Sequence, residues 1–178
     1  LRRSAVEPFR NFVGGLQFPL FSHRCNRHLG SDSGTTKASK RMKREDIHRM
    51  IRVDQAGEFG ATRIYEGQLA VMGDRGPHSA EIRHMAEDEE IHRQEFDALM
   101  AKRGVRPTVL RPFWSAAGYA LGAGTALLGP EAAMACTAAI EEEIDRHYTD
   151  QLDKLKESDS DPELADMVER FRDEEREQ

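Results

Sequence analysis

The sequence has few of the residues that build disulfide frameworks or β-sheets. It holds only two cysteines among 178 residues, Cys25 and Cys136, and they lie far apart. No disulfide framework or thiolate metal motif follows from such spacing. Aromatic residues make up 7% of the chain and charged residues 33%, which favours long amphipathic helices over strands. Cys136 stands in an apolar run and is expected to be a small core residue.

Acidic residues are almost absent from the first 44 positions. This segment carries ten Lys or Arg against Glu7 and Asp32, whereas the whole chain has a net charge of −6. A basic, serine-containing leader resembles a mitochondrial transit peptide; the alternative is a disordered basic tail that contacts lipid or nucleic acid. The chain opens on Leu1 rather than Met, so we expect the true start to lie upstream. Residues 45–178 are strongly acidic, which argues against nucleic-acid binding by this part.

Four segments carry apolar residues at helical spacing. They predict helices over about 45–72, 77–103, 131–156 and from 161 onward, with Gly73 and Gly104 as stops and Asp161-Pro162 as a start. We find no alternating pattern typical of a strand. Each apolar stripe holds a glutamate where an apolar residue belongs, and a histidine follows one of them by three residues. These positions are Glu58, Glu89 with His92, Glu141 and Glu175.

A single glutamate of this kind is usually the edge of a stripe and reaches water. Four of them turned into one bundle interior would repel each other and lose hydration, at a cost of several kcal/mol per ion. They must protonate or surround a cation, and the neighbouring histidine favours a cation. Paired Glu and Glu-x-x-His motifs hold two iron or manganese ions in four-helix bundles. The sequence therefore predicts an all-α four-helix bundle with a metal centre.

An internal repeat supports this prediction. EFGATRIYEGQ, from Glu58, aligns with EEEIDRHYTDQ, from Glu141. His92 follows Glu89 by three residues, and the corresponding position after Glu175 is Gln178. The second half-site thus stops where its imidazole is expected. The identical pairs are Glu58/Glu141, Arg63/Arg146, Tyr65/Tyr148 and Gln68/Gln151.

Four stretches closely resemble the demethoxyubiquinone hydroxylase family of ubiquinone biosynthesis: RVDQAGEFGATRIYEGQLAV, RPTVLRPFW, ALGAGTALLG and EAAMACTAAIEEEIDRHY. The resemblance covers about residues 45–177. It implies a ferritin-like di-iron monooxygenase, peripheral on the matrix face of the mitochondrial inner membrane, that hydroxylates a demethoxyubiquinone ring in the penultimate step of the pathway. A polyprenyl quinone substrate, O₂, NADH as electron donor and a lipid-binding partner protein of the same pathway are implied with it.

The family's iron ligands fall by position on Glu58, Glu89, His92, Glu141 and Glu175. Its sixth ligand, a histidine, falls on Gln178, and family members continue for another helix. The substitution and the truncation leave two alternatives to the hydroxylase: a catalytically impaired fragment that binds membrane or partner, and a ferritin-like iron-binding protein.

Two neighbouring residues are candidate catalytic groups. Tyr148 and its repeat counterpart Tyr65 each follow a glutamate by seven residues, so they either hydrogen-bond the ligands and relay protons or electrons, or simply pack the core. His147 replaces the Ile64 of the first repeat, which favours a role specific to substrate or cofactor.

The 19 residues between Arg111 and Glu131, PFWSAAGYALGAGTALLGP, carry no charge. Their glycines and alanines predict close packing on the bundle with one face dipping into a bilayer, and Trp114 and Tyr119 suit its interface. A buried helix hairpin is the first alternative, and a membrane span the second.

Overall fold

A computed structural model describes residues 41–176. All regular secondary structure in this range is helical: α1 (Arg44–Met72), α2 (Ser79–Arg103), α3 (Arg111–Leu127), α4 (Pro130–Ser158) and α5 (Pro162–Glu175). The predicted all-α class is confirmed for this part of the chain. The basic leader up to residue 40 and Gln178 lie outside the described residues.

The four predicted helices correspond to α1, α2, α4 and α5, and their ends have local causes. Gly73 and Gly104 stop α1 and α2 with φ near 70°, a conformation that costs a glycine little. Asp161 caps α5 by accepting a hydrogen bond from the backbone N–H of Leu164 at 3.1 Å. The predicted start of α2 at Pro77 is two residues early, because His78 adopts a left-handed conformation with φ 64° and the helix begins after it.

The uncharged stretch forms a helix of its own, α3, which lies between α2 and α4 in the chain. It is a single helix, so the hairpin alternative is wrong. Across residues 41–176, no helix is both long enough and apolar enough to cross a membrane. Trp114 was expected at an interface, but it is only 7% exposed and faces the bundle; Tyr119 is 38% exposed.

Helices α1 and α3 approach each other closely because glycines line their contact. A Cβ added at Gly122 would overlap the backbone of Ile64, whose carbonyl carbon would lie 2.8 Å away. A Cβ at Gly67 would likewise lie 2.8 Å from the backbone nitrogen of Ala123. Real Cβ atoms do not tolerate such distances, so these two positions require glycine.

The core lies between α1, α2, α4 and α5. Phe171 of α5 stacks on His92 of α2 at a centroid distance of 4.1 Å and meets Phe96 edge-on at 5.4 Å. Arg103 at the end of α2 pairs with Asp161 and Glu163 at the start of α5, which fixes the two helix ends side by side. Cys136 is fully buried, so its prediction as a core residue is confirmed.

We predict that Gly122→Ala destabilises the protein, because the new methyl group must push α3 away from α1. Overpacking of this kind costs about 1–3 kcal/mol, measured as the change in the free energy of unfolding in urea. Gly124→Ala is the matched control: it lies on the same helix with no atom within 4 Å of the added Cβ. This control should gain about 0.5–1 kcal/mol from helix propensity. Equal stabilities of the two variants would contradict the close contact.

Candidate metal centre

Three helices place four of the predicted ligands at one point inside the bundle. Glu58 projects from α1, Glu89 and His92 from successive turns of α2, and Glu175 from α5. Each offers one ligand atom, and these four atoms all lie within 4.8 Å of one another. The residues are between 0% and 6% exposed. A single cation at their centre would be within reach of all four.

Glu141 of α4 lies beside this group but is not one of the four. Its carboxylate accepts a hydrogen bond from the hydroxyl of Tyr65. Burial raises the pKa of Glu141 well above its ordinary value, and the carboxylate of Glu175 raises it further. Glu141 therefore lies close enough to Glu175 for strong electrostatic coupling, at the edge of the cluster.

Most of the ligand atoms in this cluster have no hydrogen-bond partner among the described residues. An unsatisfied buried polar group costs about 1–3 kcal/mol, and more when it is charged. Oxygen and imidazole ligands of this kind suit iron or manganese. The donor set thus fits a metal ion. The unpartnered atoms are Glu58 Oε2, both carboxylate oxygens of Glu89 and of Glu175, Glu141 Oε2 and His92 Nδ1.

Burial and mutual repulsion also oppose ionisation of the carboxylates in this cluster when no metal is bound. Burial raises the pKa of Glu58 well above 4.5, and the neighbouring Glu89 carboxylate adds to the effect. Burial also raises the pKa of Glu89 and of Glu175, although hydrogen bonds from neighbours oppose it. The metal-free cluster therefore retains protons that a metal ion would displace.

Each ring nitrogen of His92 faces a carboxylate, and only Nε2 makes a hydrogen bond. Its Nε2 lies 2.8 Å from Glu174 Oε2 and its Nδ1 lies 3.2 Å from Glu175 Oε1. Burial alone would lower the pKa of His92, but the surrounding carboxylates of Glu175, Glu89 and Glu174 raise it to about 10. Glu174 reaches this imidazole although its own side chain is 47% exposed. With Nδ1 on a metal, Glu174 would accept a hydrogen bond from Nε2–H and orient the ring.

The two repeat-related tyrosines contact the carboxylates of opposite repeats. Tyr65 of α1 donates to Glu141 of α4, and Tyr148 of α4 donates to Glu58 of α1. The sequence left open whether these tyrosines bond the ligands or only pack the core. In the structure both hydroxyls bond predicted ligands, so each carboxylate is oriented by the other half of the repeat.

A buried aspartate that sequence reasoning did not single out lies next to His147. Asp54 is 2% exposed, and its Oδ1 lies 3.1 Å from His147 Nε2. Gln151 Nε2 donates to the other oxygen of Asp54 at 2.8 Å. Burial raises the pKa of Asp54, and the bonds to His147 and Gln151 partly offset it. Its position on the apolar stripe of α1, one turn before Glu58, was the sequence feature that could have identified it as buried.

These pKa shifts predict how pH affects the metal-free protein. A carboxyl group whose pKa is raised on folding binds more protons folded than unfolded above about pH 4.5, so stability falls as pH rises. His92 acts in the same direction, because its contribution is complete below 6.5 and lost as pH rises towards its folded pKa of about 10. In chelator, the free energy of unfolding should therefore be larger at about pH 5.5 than at about pH 8.

With saturating manganese(II), the free energy of unfolding should instead rise with pH, since the ligands must lose protons to bind the metal. Urea unfolding at both pH values, with chelator and with metal, measures both slopes. In chelator, Glu58→Gln should reduce the pH dependence of the free energy of unfolding, whereas substitution of the exposed Glu87 by Gln should leave it unchanged. Greater stability of the chelated protein at the higher pH would contradict the assignment.

Comparisons with known proteins agree on one family. The family model described as ubiquinone biosynthesis protein COQ7 matches residues 45–178. The 3-demethoxyubiquinol 3-hydroxylase of Rhodospirillum rubrum is 57% identical over 129 residues, 72% of this chain and 60% of that protein. The mitochondrial NADPH-dependent 3-demethoxyubiquinone 3-hydroxylase of Bos taurus is 53% identical over 134 residues, 74% of this chain and 61% of that protein.

The protein of the same name from Mus musculus is 46% identical over 177 residues, 98% of this chain and 76% of that protein. The chain thus spans about 60% of the length of the first two relatives. The family model covers most of the chain, and the motifs that carried the resemblance lie inside it. The chain belongs to the COQ7 family of ubiquinone biosynthesis proteins, the demethoxyubiquinone hydroxylases.

Proposed function

We propose that residues 45–178 form a ferritin-like di-iron domain that hydroxylates a demethoxyubiquinone ring, behind a mitochondrial leader at 1–44. The observation that carries this proposal is the buried cluster of Glu58, Glu89, His92 and Glu175, with Glu141 at its edge. Its unpartnered oxygens are placed to coordinate a multivalent cation. The names of the relatives supply the reaction: hydroxylation of a demethoxyubiquinone or its quinol.

Two iron ions, when bound, supply the site at which O₂ is reduced. The chain's own side chains do the rest. The five predicted ligands hold the ions, and Tyr65 and Tyr148 keep the Glu141 and Glu58 carboxylates in fixed orientations. The apolar packing around the cluster, including Phe171 against His92, keeps bulk water away from it. Tyr148 and His147 are the groups we assign to proton handling next to Glu58.

The electron donor in this proposal is a reduced nicotinamide. The family resemblance implied NADH, whereas the names of several mitochondrial relatives specify NADPH. Hydroxylation of a ring C–H consumes O₂, two electrons and two protons and yields the hydroxyl group and one water. Either nicotinamide supplies the two electrons, so activity with each should be compared directly.

The location proposed is the matrix face of the mitochondrial inner membrane. The names of several relatives include the word mitochondrial, and the basic leader is consistent with import. The substrate is a polyprenyl quinone, whose tail is insoluble in water. A lipid-binding protein of the same pathway is the partner we propose for its delivery.

The first test compares two glutamates on α2. Glu89→Gln should lower iron content per chain and reduce quinone hydroxylation at least about 100-fold, because it removes a ligand from the cluster. Glu87→Gln, two residues away on the exposed face, should leave both unchanged. Iron is counted by a chelation assay and product by chromatography. Full iron loading of the Glu89→Gln variant would remove the metal-site assignment. Iron loading without any hydroxylation by the wild type would favour the iron-binding protein instead.

The exposed face of α3 is the surface we assign to the membrane. Phe113 is 62% exposed, and Leu127 and Leu128 are 75% and 76% exposed at the other end of the helix. The loop before the helix adds Val109, which is 91% exposed. No charged residue lies between Arg111 and Glu131. An apolar face of this size, on a helix that cannot span a bilayer, fits a protein that lies on the membrane surface.

We predict that Phe113→Ser combined with Leu127→Ser weakens binding to phosphatidylcholine–cardiolipin vesicles at least about tenfold, since each buried side chain contributes about 1.5–3 kcal/mol. Co-sedimentation with the vesicles measures this. Ile91→Ser is the matched control, because Ile91 is 54% exposed on α2, away from α3. If Ile91→Ser weakens binding as much as the α3 variant, α3 is not the membrane-facing surface.

A further inference from the structure

The internal repeat allows one half of the bundle to be compared with the other. The register that relates Glu58 to Glu141 also relates Asp54 to Thr137, Ile64 to His147 and Gln68 to Gln151. Repeat-related positions lie on corresponding faces of α1 and α4 relative to the two glutamates, although α3 covers Ile64 and leaves His147 22% exposed. A difference between them therefore marks something that the helix pairing itself does not demand.

Both halves share one cross-link. Each glutamine reaches across to the residue one turn before the glutamate of the opposite helix. Gln151 Nε2 donates to Asp54 Oδ2 at 2.8 Å, and Thr137 Oγ1 donates to Gln68 Oε1 at 3.1 Å. This hydrogen bond joins α1 to α4 in both places, so it is part of the shared scaffold.

The two halves differ in the charge of the residue that bonds the glutamine. On one side the partner is the neutral Thr137, and the position that corresponds to His147 is the buried Ile64. On the other side the partner is the buried carboxylate of Asp54, which also contacts His147 at 3.1 Å. Burying a carboxylate costs several kcal/mol unless it is well paired. Because Thr137 makes the same link without that cost, the charge of Asp54 is not explained by helix packing.

We propose that Asp54 is a positioning residue for His147. The carboxylate accepts a hydrogen bond from the Nε2–H of the imidazole and so fixes both its orientation and its tautomer, which makes Nδ1 the nitrogen that takes up and releases a proton. This inference rests on the proposed hydroxylation, which consumes two protons per turnover. His147 is adjacent to Tyr148, with ring centroids 6.4 Å apart, and Tyr148 donates to Glu58. The imidazole therefore lies beside the ring of the tyrosine whose hydroxyl contacts Glu58.

Access to solvent supports the same role. The side chain of His147 is 22% exposed, whereas that of Asp54 is fully buried. A ring at the boundary can exchange protons with water, while its carboxylate partner stays fixed inside. Such pairs of an imidazole and a buried carboxylate hold one tautomer in place in several enzyme classes.

The first arm of the test reads the tautomer directly. In the full chain labelled with ¹⁵N-histidine, metal-free and loaded with diamagnetic zinc(II), the His147 signals should show the Nε2–H form. His147→Gln assigns them by their loss. Asp54→Asn keeps an oxygen for Gln151 but turns an NH₂ group towards the ring, so the tautomer should switch to Nδ1–H. Thr137→Val, the repeat-related control, and Gln151→Met should both leave the His147 tautomer unchanged.

The second arm is kinetic. Asp54→Asn should lower kcat about 10- to 100-fold with KM nearly unchanged, a typical loss for a residue that orients a functional side chain. The double variant with His147→Gln should lose no more than His147→Gln alone, because Asp54 acts through His147. Thr137→Val should keep wild-type kcat.

An unchanged His147 tautomer in a folded Asp54→Asn protein would overturn the inference, and so would kinetic losses that multiply in the double variant. Thermal unfolding of each variant establishes that it is folded. Failure of the proposed function has a different signature: the iron-loaded wild type would not hydroxylate the quinone. The NMR arm does not depend on that activity, so the two failures are distinguishable.

Discussion

The structure depends on a concentration of acid groups in the one place where a helical bundle tolerates them least. Glu58, Glu89 and Glu175 meet at its centre, where Glu89 and Glu175 form ion pairs with His92 and Glu58 accepts a hydrogen bond from Tyr148. A single imidazolium cannot neutralise three carboxylates. The metal-free protein must therefore keep protons on them, and a divalent ion that replaces those protons releases the strain. The choice between these two states links metal content, pH and stability.

The close contact between α1 and α3 connects this centre to the surface. Gly67 and Gly122 let α3 lie against the helix that carries Glu58 and Tyr65. The inner side of α3 packs against α1, whereas Phe113, Leu127 and Leu128 are largely exposed. One helix thus faces the helix that carries Glu58 on one side and presents an exposed apolar surface on the other.

Much of this arrangement could be predicted from the sequence, because it is encoded locally. Glycine stops, the Asp161 cap and the interrupted apolar stripes placed four helices and the five candidate ligands. Asp54 and Glu174 were missed, since their importance comes from partners on other helices: His147 for one and His92 for the other. Trp114 was misplaced for a related reason. The sequence pattern around an aromatic residue in an uncharged helix is the same whether that residue faces lipid or the bundle. Only the packing of α3 on α1 determines which of the two surfaces Trp114 faces.

Hydrogen bonds between the two repeats constrain how the site assembles during folding. Tyr65 orients Glu141 and Tyr148 orients Glu58, so neither α1 nor α4 presents a correctly held carboxylate until the two helices have docked. Glu175 joins from α5, whose own position depends on Phe171 packing against α2. Ligand geometry is thus a product of tertiary assembly and not of any one helix. A metal ion that binds all of these groups binds the assembled bundle far more tightly than the unfolded chain, and its binding energy becomes part of the free energy of folding.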